Sequence, residues 1–259
     1  MYPSPPLRHD LSMIDWRDVA RGAVRGAVSG PAVTSATIAV CCALFVVSPV
    51  SGLNPPHGGR DAAAVRAAQS AYFERWGVIP AELMSGDPGA LLTPFTALFL
   101  HGNWLHLLGN MLFLYVFGAM AEERLGRVEF VLFYAVTGYL ALAAYAAANA
   151  GSQQTLVGAS GAISGVLGAF LFLFPRARVT SLFPFLFFLP LRFPAWIVLI
   201  FWFVLQGMAA SGTASGGAGV AYLAHLVGFA LGFLYAWGRY GRGARVKVHT
   251  AATEGESKP

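Results

Sequence analysis

Residues 158–174 read "GASGAISGVLGAFLFLF". A glycine-serine run ordinarily marks a flexible loop. This one passes without a break into an apolar stretch. The question is what a chain gains by setting two serines and three glycines at the mouth of a hydrophobic helix.

Composition sets the frame. The chain has 259 residues, 56% hydrophobic and 11% charged, with mean hydropathy +0.60. A soluble domain carries about 25% charged residues. The shortfall exceeds what a large core explains, so the chain reads as integral to a membrane.

A span needs roughly 20 mostly apolar residues to cross a hydrocarbon core about 30 Å thick. Six stretches qualify: 32–50 ("AVTSATIAVCCALFVVSPV"), 103–120, 128–149, 158–174, 193–210 and 218–237. The fourth is short. A seventh apolar run, "VTSLFPFLFFLPL" at 179–191, is flanked or interrupted by Pro175, Pro184 and Pro190. Proline removes a helical donor and clashes with the preceding turn, so this run reads as a re-entrant or interfacial connection. The expected architecture is an all-α integral membrane protein of six transmembrane helices, with one long outer loop, 51–100, between the first two.

The net charge of +5 does not point to nucleic acid, because its distribution follows the spans. Arg8, Arg17, Arg21 and Arg25 precede the first span, and Arg124 and Arg127 follow the second. Arg176, Arg178 and Arg192 surround the proline-rich run. Arg239, Arg242, Arg245, Lys247 and Lys258 end the chain. The opposite side has Arg60, Arg66 and Arg75, all in the long loop. Cytosolic connections are enriched in Lys and Arg, which puts both termini in the cytosol. The positive charge is topological.

The domain plan is a cytosolic tail over 1–30, a membrane domain over 31–240, and a disordered cytosolic tail over 241–259. "MIDWRDVARGAV" suits a short amphipathic helix within the first tail. A tail of that length suits an uncleaved first span better than a signal peptide. Chain brevity and the lack of a targeting extension suggest a bacterial cell membrane. Cys41 and Cys42 are neighbours in the first span and read as apolar filler. The outer loop's middle, "DAAAVRAAQSAYFERWGVIPAELM", has helical spacing and too many charges to span. A connection this long is either a solvated cap or functional.

The twelve Asp and Glu all lie outside the hydrocarbon, with Glu122, Glu123 and Glu129 at its cytosolic edge. The spans instead hold His106, Asn110, Ser160, Ser164 and His225, with His101 just above the second. Polar side chains at such depth are costly and mark functional sites by default. The bland alternative is interhelical glue.

In "HGNWLHLLGN" (101–110), His106 and Asn110 stand four apart and share one helical face. In "AHLVGFALG" (224–232), His225 shares a face with Gly228 and Gly232. Gly161, Gly165 and Gly168 form a similar strip on the fourth span. Small residues at these spacings let two helix backbones approach closely. A short Ser–His contact needs that approach.

A serine nucleophile requires a base within hydrogen-bond reach and donors aimed at the developing oxyanion. Ser160 can attack and His225 can take its proton. His106, Asn110 and backbone N–H groups at the start of the fourth helix can supply the donors. Gly158 and Gly161 keep the backbone beside Ser160 accessible. Without a carboxylate at depth, the pair is a dyad. A zinc site is disfavoured: "HExxH" is absent, and His101 and His106 are not at i, i+4.

These motifs resemble those of the rhomboid intramembrane serine proteases. "HGNWLHLLGN" is similar to that family's second-span pattern of two histidines and an asparagine. "GASG" is similar to its G-x-S-G motif, and "AHLVGFALG" to its A-H-x-x-G-x-x-x-G. They fall in the family's order on the second, fourth and sixth spans, and the resemblance covers roughly 30–240. "AEERLG" after the second span also resembles a family feature and implies that Glu122 and Arg124 pin the cytosolic end.

The resemblance implies Ser160 as nucleophile and His225 as base and then acid. It implies His106, Asn110 and the Ser160 N–H as oxyanion donors, with His101 in support. It also implies an outward-facing aqueous cavity, transmembrane proteins as substrates within the lipid bilayer, and no cofactor. The sequence departs from the family at Ser164, where an aromatic often stacks on the base; another ring, such as Tyr222, is then needed. Ser164 is also the alternative nucleophile, although "AISG" lacks the motif's first glycine. Two other classes stay in view. One is a non-proteolytic relative that binds client helices; such relatives lose nucleophile or base. The other is a channel, for which polar residues at several depths are missing.

Overall fold

The computed structural model describes residues 31–53, 61–183, 189–212 and 222–255. The amphipathic segment expected within 1–30 and the last four residues lie outside these. The protein is a helical membrane protein. In chain order, α1 spans Ala32–Val47, α2 Ala62–Trp76, α3 Pro80–Ser85 and α4 Thr93–Ala97. Then come α5 (Trp104–Leu125), α6 (Arg127–Ala148), α7 (Ser160–Leu173), α8 (Ala195–Gly212) and α9 (Tyr222–Gly255). Of these, α5 and α6 are each long and apolar enough to cross a bilayer. Leu105, Leu108 and Leu112 on α5 are exposed, as are Ile200, Phe201 and Val204 on α8, in keeping with a lipid surround.

Helix α7 is the centre of the bundle. Gly161 through Phe170 are all buried, so the helix is enclosed on every side. Only small residues permit that enclosure here. A Cβ at Gly228 would overlap the Gly161 carbonyl oxygen, one at Gly232 the Gly165 carbonyl, and one at Gly168 the Phe229 carbonyl. Thus α7 and α9 touch backbone to backbone. On its other side α7 meets α6: a Cβ at Gly138 would come 2.8 Å from that of Ala162, and one at Gly165 would come 2.8 Å from Thr137 Oγ1. At about 1.5 Å per residue, its 14 residues cover only about 21 Å. It cannot reach both faces of a bilayer.

Two carboxylates fasten one end of the bundle. Glu122, 2% exposed, accepts the Val33 N–H at 2.9 Å and the Thr34 N–H at 2.7 Å. These are orphan donors of the first turn of α1, which has no side-chain cap of its own. Two residues on, the Arg124 guanidinium lies 4.6 Å from the Tyr240 ring centre. Glu129 accepts from the Tyr235 hydroxyl at 2.8 Å and the Tyr240 hydroxyl at 2.7 Å, tying α6 to α9.

The segment between α1 and α5 packs onto the approach to α7. Val78 and Leu156 exchange backbone hydrogen bonds at 2.9 and 2.8 Å. The Ala81 N–H bonds the Ser152 carbonyl, and the Gly158 N–H bonds the Ala97 carbonyl at 2.9 Å. Gly77 is tight against the same strip, since a Cβ there would come 2.8 Å from Val157 Cγ1.

One element departs from the all-α expectation. The run after α7, read as a re-entrant or interfacial connection, forms an antiparallel pair: β1 (Arg178–Phe183) with β2 (Leu189–Pro194), in register Arg178↔Pro194 through Phe183↔Leu189. A two-stranded ribbon has unpaired outer edges, which tolerate prolines such as Pro190 and Pro194. The final helix is described as far as Gly255.

The α7–α9 contact gives a stability prediction. Gly232→Val places a side chain against backbone that cannot yield, and should cost about 3 kcal/mol, the upper part of the overpacking range. Gly238→Val, on the same helix with nothing within 4 Å of its Cβ, should leave stability nearly unchanged. Thermal midpoints of both variants in detergent check this, and equal midpoints would remove the close contact from the account.

Candidate active site

Ser160 opens α7, and His225 lies in the first turn of α9. Ser160 Oγ and His225 Nε2 are 2.8 Å apart. That distance depends on the glycine contact just below, where Gly161 meets Gly228. As the first residue of a helix, Ser160 is surrounded by N–H groups without intrahelical acceptors, at the positive end of the helix dipole.

The chain ahead of Ser160 makes room for a second ring. Gly158 has φ +132°, a conformation that strongly favours glycine. A Cβ there would sit 2.8 Å from His106 Cε1 and 2.9 Å from its Nε2, and 3.6 Å from Ser160 Oγ. His106 therefore rests directly on the Gly158 backbone, next to the serine.

The tautomer of His106 follows from its other nitrogen. The Gly102 N–H donates to His106 Nδ1 at 3.3 Å. In the neutral ring the proton is then assigned to Nε2, the atom facing Gly158. Asn103 caps α5 by accepting the His106 N–H at 2.8 Å, which fixes the backbone below the ring. One turn further, Asn110 is buried and its Nδ2 has no partner among the described residues.

Ser160, His225, His106, Asn110, Gly158 and Ser164 all border one cavity of about 420 Å³. Its apolar wall includes Phe113, Leu142, Leu156, Ile163 and Leu167. The arrangement pairs an activatable hydroxyl with a base and sets two further N–H donors around the same space. Chemically it can support attack on a carbonyl and stabilise the oxyanion that results.

Two expected participants, His101 and Gly161, lie off the cavity wall, and the alternative nucleophile Ser164 is on it but engaged. His101 is 1% exposed and off the cavity wall; it packs edge-on behind His106 with ring centres 5.2 Å apart. Gly161 faces α6 and α9 rather than the cavity, with its Cβ position 3.0 Å from Ala141 Cβ. Ser164 gives its hydroxyl proton to the Ser160 carbonyl at 2.6 Å, so that hydroxyl is already engaged.

Two rings stand beside His225. Tyr222 does stand near it, edge-on at 6.3 Å and 89°. Trp202 of α8 lies at 6.1 Å and is tilted by only 34°. Nothing in the sequence singled out Trp202: "FWF" at 201–203 offers an aromatic to three sides of an apolar helix.

With this geometry in hand, comparison with known proteins is informative. A sequence model of the Rhomboid domain matches residues 88–242, more than half of the chain. The chain is similar to the mitochondrial Rhomboid protein 1 of Saccharomyces cerevisiae, 35% identical over 143 residues, covering 54% of this chain and 39% of that protein. It is 35% identical over 95 residues to the rhomboid protein YdcA of Bacillus subtilis, covering 34% and 43%. To the chloroplastic Rhomboid-like protein 11 of Arabidopsis thaliana it is 42% identical over 77 residues, covering 27% and 25%. The chain thus spans less than half the length of these relatives. The domain match contains all three motif segments, and the chain belongs to the rhomboid family.

Proposed function

We propose that this protein is an intramembrane serine endopeptidase that cleaves peptide bonds in or beside transmembrane segments of other membrane proteins. The observation that carries the proposal is the 2.8 Å contact between Ser160 Oγ and His225 Nε2, at a cavity that His106 and Asn110 also border. Family membership supports it independently.

The steps follow from the atoms. His225 Nε2 takes the Ser160 proton as Oγ bonds to the scissile carbonyl carbon. The carbonyl oxygen becomes an oxyanion, met by His106 Nε2–H, Asn110 Nδ2 and N–H groups at the start of α7. His225 then gives its proton to the leaving amine, and water releases the acyl group by the same route. A helical substrate must unwind locally, since its own side chains and hydrogen bonds shield the bond. Small and helix-breaking residues are therefore expected near the cut.

In the proposal the membrane domain is 31–240 and has six spans. The segment between the first two lies on the outer side, and both termini lie in the cytosol of a bacterial cell. The asymmetry of Lys and Arg supports this orientation. The shortness of α7 supports a site below the outer surface, open to water from that side.

Purified protein and a generic transmembrane substrate, followed on a gel, test the reading. Ser160→Ala and His225→Ala should each lower cleavage by about 10³-fold or more, while Ser164→Ala should stay near the wild-type rate. Loss with Ser164→Ala and survival with Ser160→Ala would reassign the nucleophile. If every form cuts nothing while labelled client helices still co-purify, a binding role displaces the protease.

Gly158→Ala makes a finer prediction. The methyl group must displace the His106 ring, and the required φ strains any side chain. The initial cleavage rate, measured well below the thermal midpoint, should fall by about 10²-fold, and the midpoint should drop by the few degrees that a strain of about 1–3 kcal/mol implies. An unchanged rate would remove His106 from the set of donors.

A further inference from the structure

The Ser160 contact sets where His225 Nε2 lies, and the angle of the imidazole also depends on what packs beside the ring. The indole of Trp202 stands next to the imidazole, with ring centres 6.1 Å apart and planes 34° from parallel. The same indole sits 6.1 Å from Phe229, one turn further along α9, at 33°. Phe203 packs on that phenylalanine as well, at 4.7 Å. Trp202 therefore spans two turns of α9, and its own place is fixed by the second of them. These separations are within the range of favourable aromatic contact.

Trp202 also borders the cavity, although it belongs to neither helix of the Ser–His pair. On the opposite side of α8, Ile197, Ile200, Phe201 and Val204 are exposed. Helix α8 thus turns one side to lipid and the tryptophan toward the base. On α7, the residue one turn beyond Ser160 offers no ring, because it is Ser164 and its hydroxyl bonds the Ser160 carbonyl.

We propose that Trp202 is a positioning residue for His225, holding the imidazole at the angle that keeps Nε2 on Ser160 Oγ. This rests on the Ser–His reading above. When the Ser160 proton moves to Nε2 and Oγ bonds to carbon, the ring becomes an imidazolium. The indole face attracts that cation electrostatically, and the attraction is released when the proton passes to the leaving amine. Base alignment then depends on a third helix, and a displacement of α8 from α9 weakens the pair without altering either member.

A small soluble fluorophosphonate that phosphonylates an activated serine separates this role from substrate entry, since the probe requires no helix to enter between α8 and its neighbours. Labelling rates are measured for the full chain in detergent, for Trp202→Leu and Trp202→Phe, and for His225→Ala. Phe201→Ala, on the lipid side of α8, is the control. Trp202→Leu, which keeps an apolar side chain without a π face, should label about tenfold more slowly; Trp202→Phe should retain most of the rate, and Phe201→Ala all of it. On a transmembrane substrate, Trp202→Leu should lower kcat and leave KM unchanged. Wild-type labelling by Trp202→Leu, with only KM altered, would overturn the proposal and make Trp202 an entry residue. Equal losses in the Leu and Phe variants would overturn the role of the aromatic face. Wild type labelling no faster than His225→Ala would withdraw the Ser–His reading itself, and this inference with it.

Discussion

The backbone contact between α7 and α9 is the constraint on which the rest depends. Gly161, Gly165 and Gly168 on one helix and Gly228 and Gly232 on the other remove the side chains that would separate the two backbones. Inside a bilayer no hydrophobic effect drives two apolar helices together, so close packing has to do it. Ser160 and His225 lie at the top of this seam, one residue before Gly161 and three before Gly228. Their 2.8 Å contact is the seam continued into polar chemistry. A larger residue anywhere along it acts on the pair as a wedge, even several turns away.

A seam positions two helices but not the strand of chain ahead of Ser160, which has to pass His106 in a conformation costly for most residues. That strand is held from outside the bundle core. Val78 pairs with Leu156 and Ala97 accepts from Gly158, so residues far back in the sequence fix the approach to the serine. Gly158 is thus anchored on one side by a backbone bond and on the other by the first turn of α7. Glycine takes that conformation without a Cβ penalty, and the bonds on either side select it from the many a glycine can adopt. The long segment between α1 and α5 does structural work at the site, which a solvated cap would not.

Parts of this were legible in the sequence, for identifiable reasons. Hydropathy marks α5 and α6 because length and composition are local properties. The shortness of α7 can be read from where its glycine-serine run begins. Ser160, His225, His106 and Asn110 stand out because polar side chains are rare in such surroundings. What could not be read depends on contacts between distant segments. The orphan donors that Glu122 accepts are 88 and 89 residues away. Backbone pairing of Val78 with Leu156 leaves no side-chain signature. Trp202 lies in a helix whose aromatic residues point several ways, and only packing against α9 selects one of them. Strand pairing in the β1–β2 hairpin likewise overrides an apolar, proline-marked pattern that suggests no strands.

Asn110 shows how the proposed chemistry and the cost of folding meet. Its Nδ2 is buried with no hydrogen-bond partner among the described residues, and an unpaired buried donor costs about 1–3 kcal/mol. A protein selected for stability alone would pair the amide or replace it. On the reading proposed above, the missing partner is the oxyanion, which exists only as the reaction proceeds. An interaction absent from the resting state and present in the transition state is the kind that accelerates a reaction. His106 differs in degree: Gly102 holds its Nδ1, and its Nε2 proton faces the same space. Both donors stand on one face of α5, a turn apart, so a single helix delivers them together. On the proposed reading, little reorganisation is then needed at His106 when charge develops, because the Gly102 contact at Nδ1 already sets its ring.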